Sequence, residues 1–163
     1  MKIRETEKKE KQMRKTICGI LTAATTIITT LTLASCDIET SSEAGDFNGM
    51  WHLTRVDTLA TGGTLDLKKE KLFWSFQNKL MQADDKNWMH QRVLMRFSQT
   101  KTQLTLNDPY IYNREEGDEP VSDPTPLRPY GINGVEEKFD VVTLTGSKMV
   151  LQSETLRLTF KGF

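Results

Sequence analysis

Residues 139–161 read Phe-Asp-Val-Val-Thr-Leu-Thr-Gly-Ser-Lys-Met-Val-Leu-Gln-Ser-Glu-Thr-Leu-Arg-Leu-Thr-Phe-Lys, and the fold is decided there. The last part alternates strictly. Leu156, Leu158 and Phe160 take one face, and Thr155, Arg157, Thr159 and Lys161 take the other. Successive side chains of a strand point to opposite faces, so a two-residue apolar period marks a half-buried strand. Gly146-Ser147 interrupts the stretch as a tight turn, and glycine at the first loop position suits the type II′ geometry. The stretch predicts strands at Phe139–Thr145, Lys148–Gln152 and Thr155–Lys161, paired antiparallel.

Upstream the same pattern recurs. Met50–Asp57 is rich in aromatic and β-branched residues and stops before the turn signal Thr61-Gly62-Gly63. Leu72–Gln77 and Leu80–Ala83 flank Asn78-Lys79; Arg92–Gln99 places Val93, Met95 and Phe97 on one face, and Gln103–Asn107 repeats this with Leu104 and Leu106. A short helical turn is expected near Val135–Lys138, but no window after residue 46 sustains a helical apolar period. About eight strands at short intervals, with no length for crossover helices, predict an all-β antiparallel up-and-down meander. Closure into a barrel removes the strand edges, with a sandwich as the rival solution.

Between these runs lies Tyr112–Gly131. It carries Glu115, Glu116, Asp118, Glu119 and Asp123 together with Pro120, Pro124, Pro126 and Pro129. Proline removes a backbone donor, so this segment is not an interior strand; it is a loop at the barrel rim or across one end. Its carboxylates lack the EF-hand spacing and read as a solvated acidic loop.

The amino terminus has a different composition. Residues 1–15 hold seven basic and three acidic side chains, and an apolar run of 18 residues follows from Ile17 to Ala34. This is the charged, apolar, small-residue order of a secretory signal peptide. The run ends in Leu33-Ala34-Ser35-Cys36, which resembles a bacterial lipobox. That resemblance implies lipidation of Cys36, cleavage before it, and attachment to a membrane by acyl chains worth about 0.8 kcal/mol per buried methylene. Residues 1–35 are then signal peptide and residues 36–46 an acidic flexible tether, whose ten residues after the cysteine reach at most about 35 Å. Acids just after the cysteine resemble the export signals of Bacteroides-type lipoproteins, so the expected location is the outer membrane, on its periplasmic or its surface face.

Whole-chain charge balances at 22 basic against 22 acidic residues, but without its basic start the chain carries fifteen against nineteen, about −4. That offers nucleic acid no electrostatic footprint. Cys18 leaves with the signal peptide and Cys36 is consumed by lipid, which ends disulfide and cysteine-nucleophile chemistry.

Phe47-Asn48-Gly49-Met50-Trp51 resembles the Gly-x-Trp opening of lipocalins. Together with the lipobox, the tether, the meander and the terminal Leu-Arg-Leu-Thr-Phe, residues 36–163 resemble lipocalin-like lipoproteins of Bacteroides-type bacteria. The resemblance implies a lipocalin-like barrel over residues 47–163. In it Gly49 admits the chain tightly, Trp51 plugs the closed end, and an arginine of the last strand, best matched by Arg157, packs across the indole. Arg157 alternates with Leu156 and Leu158, so it would reach the ring from the barrel end. The family's second motif, Thr-Asp-Tyr, has no counterpart closer than Asn107-Asp108-Pro109-Tyr110.

Chemistry-bearing residues are sparse. A zinc site would need His52, His90 and a carboxylate such as Asp57 or Asp85, and their spacing is not that of ligands on one helix or hairpin. Ser75, Ser98, Ser147 and Ser153 lack a Gly-x-Ser-x-Gly setting. The pairs Asp84/Asp85, Glu115/Glu116 and Glu136/Glu137 point apart in extended chain. No catalytic residue, metal or cofactor is expected. Two readings remain. In one, the barrel binds a small apolar or amphipathic ligand among Trp51, Phe73, Trp74, Phe76, Trp88, Phe97, Phe139 and Phe160; Leu53 and Arg55 share the face of Trp51, and Arg55 anchors a head group. In the other, the barrel is filled and the lipoprotein docks on envelope proteins or glycans. An open cavity favours the first, and a solid interior with an exposed aromatic patch favours the second.

Overall fold

Alternation of apolar and polar residues produces a ring of short strands. The structure, a computed structural model, describes residues 43–163; the signal peptide, Cys36 and most of the tether lie outside the described residues. A 3-10 turn at Gly45–Phe47 leads into β1 (Gly49–Thr58). Then follow β2 (Thr64–Asp66), β3 (Leu72–Gln77), β4 (Leu80–Asp85), β5 (Val93–Gln99), β6 (Gln103–Ile111) and β7 (Glu119–Pro120). After a second 3-10 turn at Arg128–Tyr130 come β8 (Glu137–Thr145), β9 (Lys148–Gln152) and β10 (Leu156–Gly162).

Every pairing is antiparallel, in the order β1-β3-β4-β5-β6-β8-β9-β10. β10 returns to β1, from Trp51 opposite Gly162 to Thr58 opposite Leu156, and closes an eight-stranded barrel. The all-β barrel read from the sequence is therefore the fold, with Leu72–Gln77 and Lys148–Gln152 placed to the residue. Two short strands were not foreseen. β2 lies outside the ring on β1, and the proline-containing β7 forms an edge on Tyr110 and Ile111, where a missing donor does no harm.

Inward residues fill the barrel with rings. Trp74 lies 4.9 Å from Phe160 and 5.8 Å from Phe139, and Phe76 lies 5.1 Å from Phe97 and 5.4 Å from Phe47. These centroid separations are those of favourable offset and edge-to-face pairs. Phe73 and Trp88 depart from the expected lining: Phe73 sits on the outer wall against His52 and Phe163, and Trp88 is exposed.

Bulges reset the strand period. In β1, Leu53 opposes Phe160 but Arg55 opposes Thr159, so Thr54 is the extra residue. The Thr54 hydroxyl donates to the Thr159 carbonyl at 2.9 Å, and its own carbonyl accepts from Leu67 N–H at 2.9 Å. A one-residue insertion reverses facing. Trp51 and Leu53 point in, Val56 packs against the core, and Arg55 is turned out. Similar irregularities re-aim β6 at Asp108, whose φ is 49°, and push Val142 of β8 outward.

Two local expectations are corrected. Neither Gly146 nor Ser147 has a positive φ, so the β8–β9 turn is not type II′. The Thr145 hydroxyl and the Lys148 backbone close it, and Gly162 N–H donates to Ser147 O at 2.9 Å. Val135–Lys138 forms no helical turn, because the Glu137 carboxylate accepts the Asn133 and Gly134 N–H groups and Glu137 already begins β8.

The ends of the barrel are sealed differently. At the start of β1, Trp51 is buried and its indole donates to Phe47 O at 2.8 Å. Gly49 has φ 120° with open space around a Cβ, so glycine is needed there for conformation and not for clearance. At the other end residues 124–132 cross the opening as a strap, with Leu127, Tyr130 and Ile132 fully buried. Trp74 Nε1 donates to Tyr130 O at 3.2 Å from inside the ring. Gly131, at φ 80°, packs so tightly that a Cβ would lie 2.7 Å from Leu158 Cδ2. The proline-rich segment thus crosses one end, as the sequence allowed.

Register separates Arg157 from Trp51. Arg157 is exposed opposite Asp57, at the far end of β1, so the expected stacking on the indole is not formed. Trp51→Ala should cost about 3–5 kcal/mol through the lost ring and the cavity it leaves. Arg157→Ala should stay within about 0.5 kcal/mol, with additive losses in the double variant. Urea unfolding of the three variants measures this, and a coupling above about 0.5 kcal/mol would contradict the register.

Candidate functional site

The residues singled out on the family resemblance and on strand parity do not converge. Gly49 and Trp51 belong to the closed end, Leu53 is buried in the core, and Arg157 stands on the outer wall of β10. Arg55 anchors nothing inside the barrel. Its Nε donates to Asp57 Oδ1 at 2.7 Å and one NH2 donates to Thr64 Oγ1 at 3.3 Å, on the outer face. The Thr64 hydroxyl also donates to Asp57 Oδ1 at 2.7 Å; that bond and then Arg55 hold the Asp57 carboxyl below its ordinary value. The two histidines are apart. His52 stacks on Phe73 at 5.0 Å and bonds Glu70 O at 2.6 Å, whereas His90 lies 6.3 Å from the Tyr130 ring. Among the described residues no group of three His, Cys, Asp or Glu is arranged to hold a metal.

The structure gathers other residues at the mouth. β4 ends in Asp84-Asp85, both buried, and residues 86–92 lead into β5. Asp85 organises this loop. Its Oδ1 accepts Asn87 N–H at 2.8 Å, its Oδ2 accepts Met89 N–H at 3.1 Å, and its carbonyl accepts Trp88 N–H at 3.1 Å. Trp88 is thereby held at φ 61°, a left-handed conformation that costs a bulky L-residue about 1–3 kcal/mol. Such strain persists only where surrounding bonds over-determine it. Here they present Trp88 and Met89 to solvent at 81% and 78% exposure.

Asp84 neutralises the base of the loop. Arg92 Nε donates to Asp84 Oδ1 at 3.1 Å, an Arg92 NH2 donates to Oδ2 at 3.4 Å, and Lys86 Nζ also donates to Oδ2. Burial works against ionisation of Asp84, but the bonds and charges of Lys86 and Arg92 outweigh it and hold the carboxyl below the ordinary range. The Arg92 guanidinium lies 4.8 Å above the Tyr112 ring, and Arg114 lies 5.0 Å from that ring while donating to its hydroxyl at 2.8 Å. Trp88, Met89, His90, Arg92 and Tyr112 border a cleft of about 430 Å³ that also reaches Asp84.

The strap is moored to the same loop. Tyr130 Oη donates to Gln91 O at 2.8 Å. Burial, followed by the charges of Asp85 and Asp84, pushes the phenol far up, so it remains a donor throughout the physiological range. A second cleft of about 580 Å³ lies between residues 133–138 and 153–155. It is polar, and its Glu137 is engaged by backbone N–H groups.

Strand parity missed this site because it pointed to barrel-facing positions, whereas these side chains come from a loop and strand ends. The usable signal was Trp88-Met89 within the otherwise polar Asp84–His90, since two large apolar residues at a polar loop tip have no core to enter. Trp88, expected inside the barrel, is outside it.

Residues 31–163 match the sequence profile of a family described as lipocalin-like domain. Among solved structures, a lipocalin-like protein from Bacteroides uniformis aligns with TM-score 0.55 at 20% identity, covering 73% of this chain and 100% of that one. An uncharacterized protein from Bacteroides eggerthii aligns with TM-score 0.49 at 16% identity, over 72% and 99%. At 20% identity the likeness to the Bacteroides uniformis protein is one of fold. No curated protein matches the chain.

The Asp84 cluster makes a pH-dependent contribution. Because the folded pKa is depressed, the stabilisation is complete above about pH 4 and is lost as the pH falls through the folded value. Asp84→Asn should cost about 1–3 kcal/mol at pH 7 and flatten the acid decline. Urea midpoints from pH 7 to pH 2 test this; curves that stay parallel would assign the acid dependence to other groups.

Proposed function

The chain belongs to the lipocalin-like domain family, and from that premise we propose that it is a lipid-anchored cell-envelope lipoprotein with a filled barrel, whose recognition surface is the barrel mouth. The observation that carries this reading is the interior itself. Phe76, Phe139 and Phe160 are each buried against Trp74 within the ring, while the exposed aromatic surface and the cleft lie at the rim. Lipocalin-like domains are in the main non-enzymatic binding proteins, and neither the family match nor the solved relatives point to a catalytic family.

Anchoring rests on the sequence. The lipobox ending in Cys36 and the acidic tether support attachment to the outer membrane. The described chain enters the barrel at its closed end, the end away from the mouth, where Glu43 pairs with Lys79 at 3.1 Å and its carbonyl accepts from Gln99.

A second reading, a small apolar ligand held inside the barrel, is favoured by the strap. Its backbone bonds run within the segment, from Leu127 N–H to Pro124 O and from Tyr130 and Ile132 N–H to Leu127 O. Two hydrogen bonds and three apolar side chains moor it to the ring, and their displacement would open space beneath.

A native mass spectrum of the purified protein separates the two. The filled-barrel reading expects the mass of the lipidated polypeptide alone. A stoichiometric small molecule that stays bound in Trp88→Ala and is released in Leu127→Ala would move the site inside. Cys36→Ala should abolish incorporation of an alkyne fatty acid and leave the signal peptide attached. Persistent labelling of that variant would remove the anchor.

A further inference from the structure

The solvent face of an antiparallel sheet is ordinarily polar, and the outer wall of β1, β3 and β10 departs from that rule. His52 and Phe73 are cross-strand partners on it, with their rings stacked at 5.0 Å. Phe163 meets Phe73 at 5.6 Å and His52 at 6.3 Å, so three rings cluster outside the barrel. Phe163 N–H donates to Met50 O at 3.1 Å, which fixes its backbone, yet its side of the cluster is open and the residue is 74% exposed. Met50, opposite Ser75, adds a second exposed apolar side chain to this wall. A joined apolar surface of this kind, outside the core, marks a docking face.

Position selects what docks there. Trp51 of the closed end pairs with Gly162, so Met50 and Phe163 stand at that end of the barrel. The described chain enters at the same end, where Glu43 pairs with Lys79. Seven residues lead back from Glu43 to Cys36, and extended chain of that length spans at most about 25 Å. A lipid on Cys36 therefore keeps a bilayer within that reach of the closed end, and tethering makes even a weak second contact effective. Apolar contact carries this face and not net charge, since the entering chain is itself acidic at Glu43 and Asp46. Lys161 Nζ lies 6.0 Å from the Phe163 ring, and Lys148 opposes Lys161 across β9. Lysine stems cover apolar surface while their ammonium groups reach into a polar layer, the arrangement of a lipid interface.

On the reading that Cys36 anchors the protein, we propose that the wall of Met50, His52, Phe73 and Phe163 lies against the lipid surface. Its rings enter the boundary between head groups and acyl chains, and Lys161 stays among the head-group phosphates. The closed end is then fixed to the bilayer at two points, one covalent and one packed. The mouth, with Trp88, is turned away from it.

The test places the full-length lipoprotein singly in phosphatidylcholine nanodiscs. A nitroxide is attached at Ser75→Cys, beside Met50 on the proposed face, or at Asn87→Cys in the mouth loop. Electron paramagnetic resonance then reads collisions with oxygen, which concentrates in lipid, and with a nickel chelate confined to water. The Ser75 label should lose its nickel collisions and gain oxygen collisions, while the Asn87 label stays open to nickel. Adding Met50→Ser and Phe163→Ser should return the Ser75 label to water. Both side chains lie outside the core, and unchanged circular dichroism and Tm verify that the variants fold. A Ser75 label open to nickel in protein that co-elutes with discs overturns the proposal and leaves the anchor standing. Protection that survives the two serines overturns the apolar face. Protection that appears only with two copies per disc assigns the wall to a second copy and overturns the lipid. Protein that does not co-elute with discs removes the anchor and the proposal together.

Discussion

Closure of β10 onto β1 is the constraint from which the rest of the architecture follows. An open meander of short strands would leave two rows of backbone donors and acceptors unpaired. Pairing from Trp51–Gly162 to Thr58–Leu156 removes both edges. Closure also creates an inside, and an eight-stranded ring is just wide enough for side chains to fill. The inward period of each strand therefore ends in the same small space, where Trp74, Phe76, Phe139 and Phe160 meet. A closed wall with a solid interior leaves two ends as the places where the protein can differ from a plain scaffold.

Those ends obey different physics. The closed end is local: Phe47 and Trp51 are four residues apart, and one bond from the indole to the Phe47 carbonyl seals the chain as it enters. The mouth is non-local. A segment from between β6 and β8 crosses the ring to meet Trp74 of β3 and Gln91 of the β4–β5 loop. Its proline-rich approach pairs with β6 only at Glu119–Pro120, and beyond that edge its apolar side chains enter from above and not from the wall. Tyr130 joins the two functions of this end, since its carbonyl accepts from the core and its hydroxyl donates to the loop that carries Trp88.

Charge is concentrated around the same opening. Asp84 and Asp85 are consecutive, so the strand period should send them to opposite faces. Both are nonetheless buried, because β4 ends there and each carboxylate has its own donors: side chains of Lys86 and Arg92 for one, backbone N–H groups for the other. Buried carboxylates without such partners would be costly. With them, two acids become the rigid floor of a loop that exposes its aromatic residue.

Local period and composition determined much of this protein. Strict alternation in Thr155–Lys161, the turn at Gly146-Ser147 and the prolines of Tyr112–Gly131 were enough to read an antiparallel meander, its closure, and a long loop at one end. These are short-range properties, because they depend on which face a side chain takes relative to its chain neighbours. Gly49 and Trp51 were singled out by the resemblance of residues 47–51 to the Gly-x-Trp opening and not by period. Facing beyond a bulge was not legible: an extra residue at Thr54 is defined by the partner strand, and it carries Arg55 out of the barrel. The distance between Arg157 and Trp51 likewise depends on the β1–β10 register, and the grouping of Trp88, Arg92, Tyr112 and the strap depends on which strand ends share an opening. Only tertiary structure decides such matters, because they are relations between segments distant in sequence, whose pairing is set by closure of the ring.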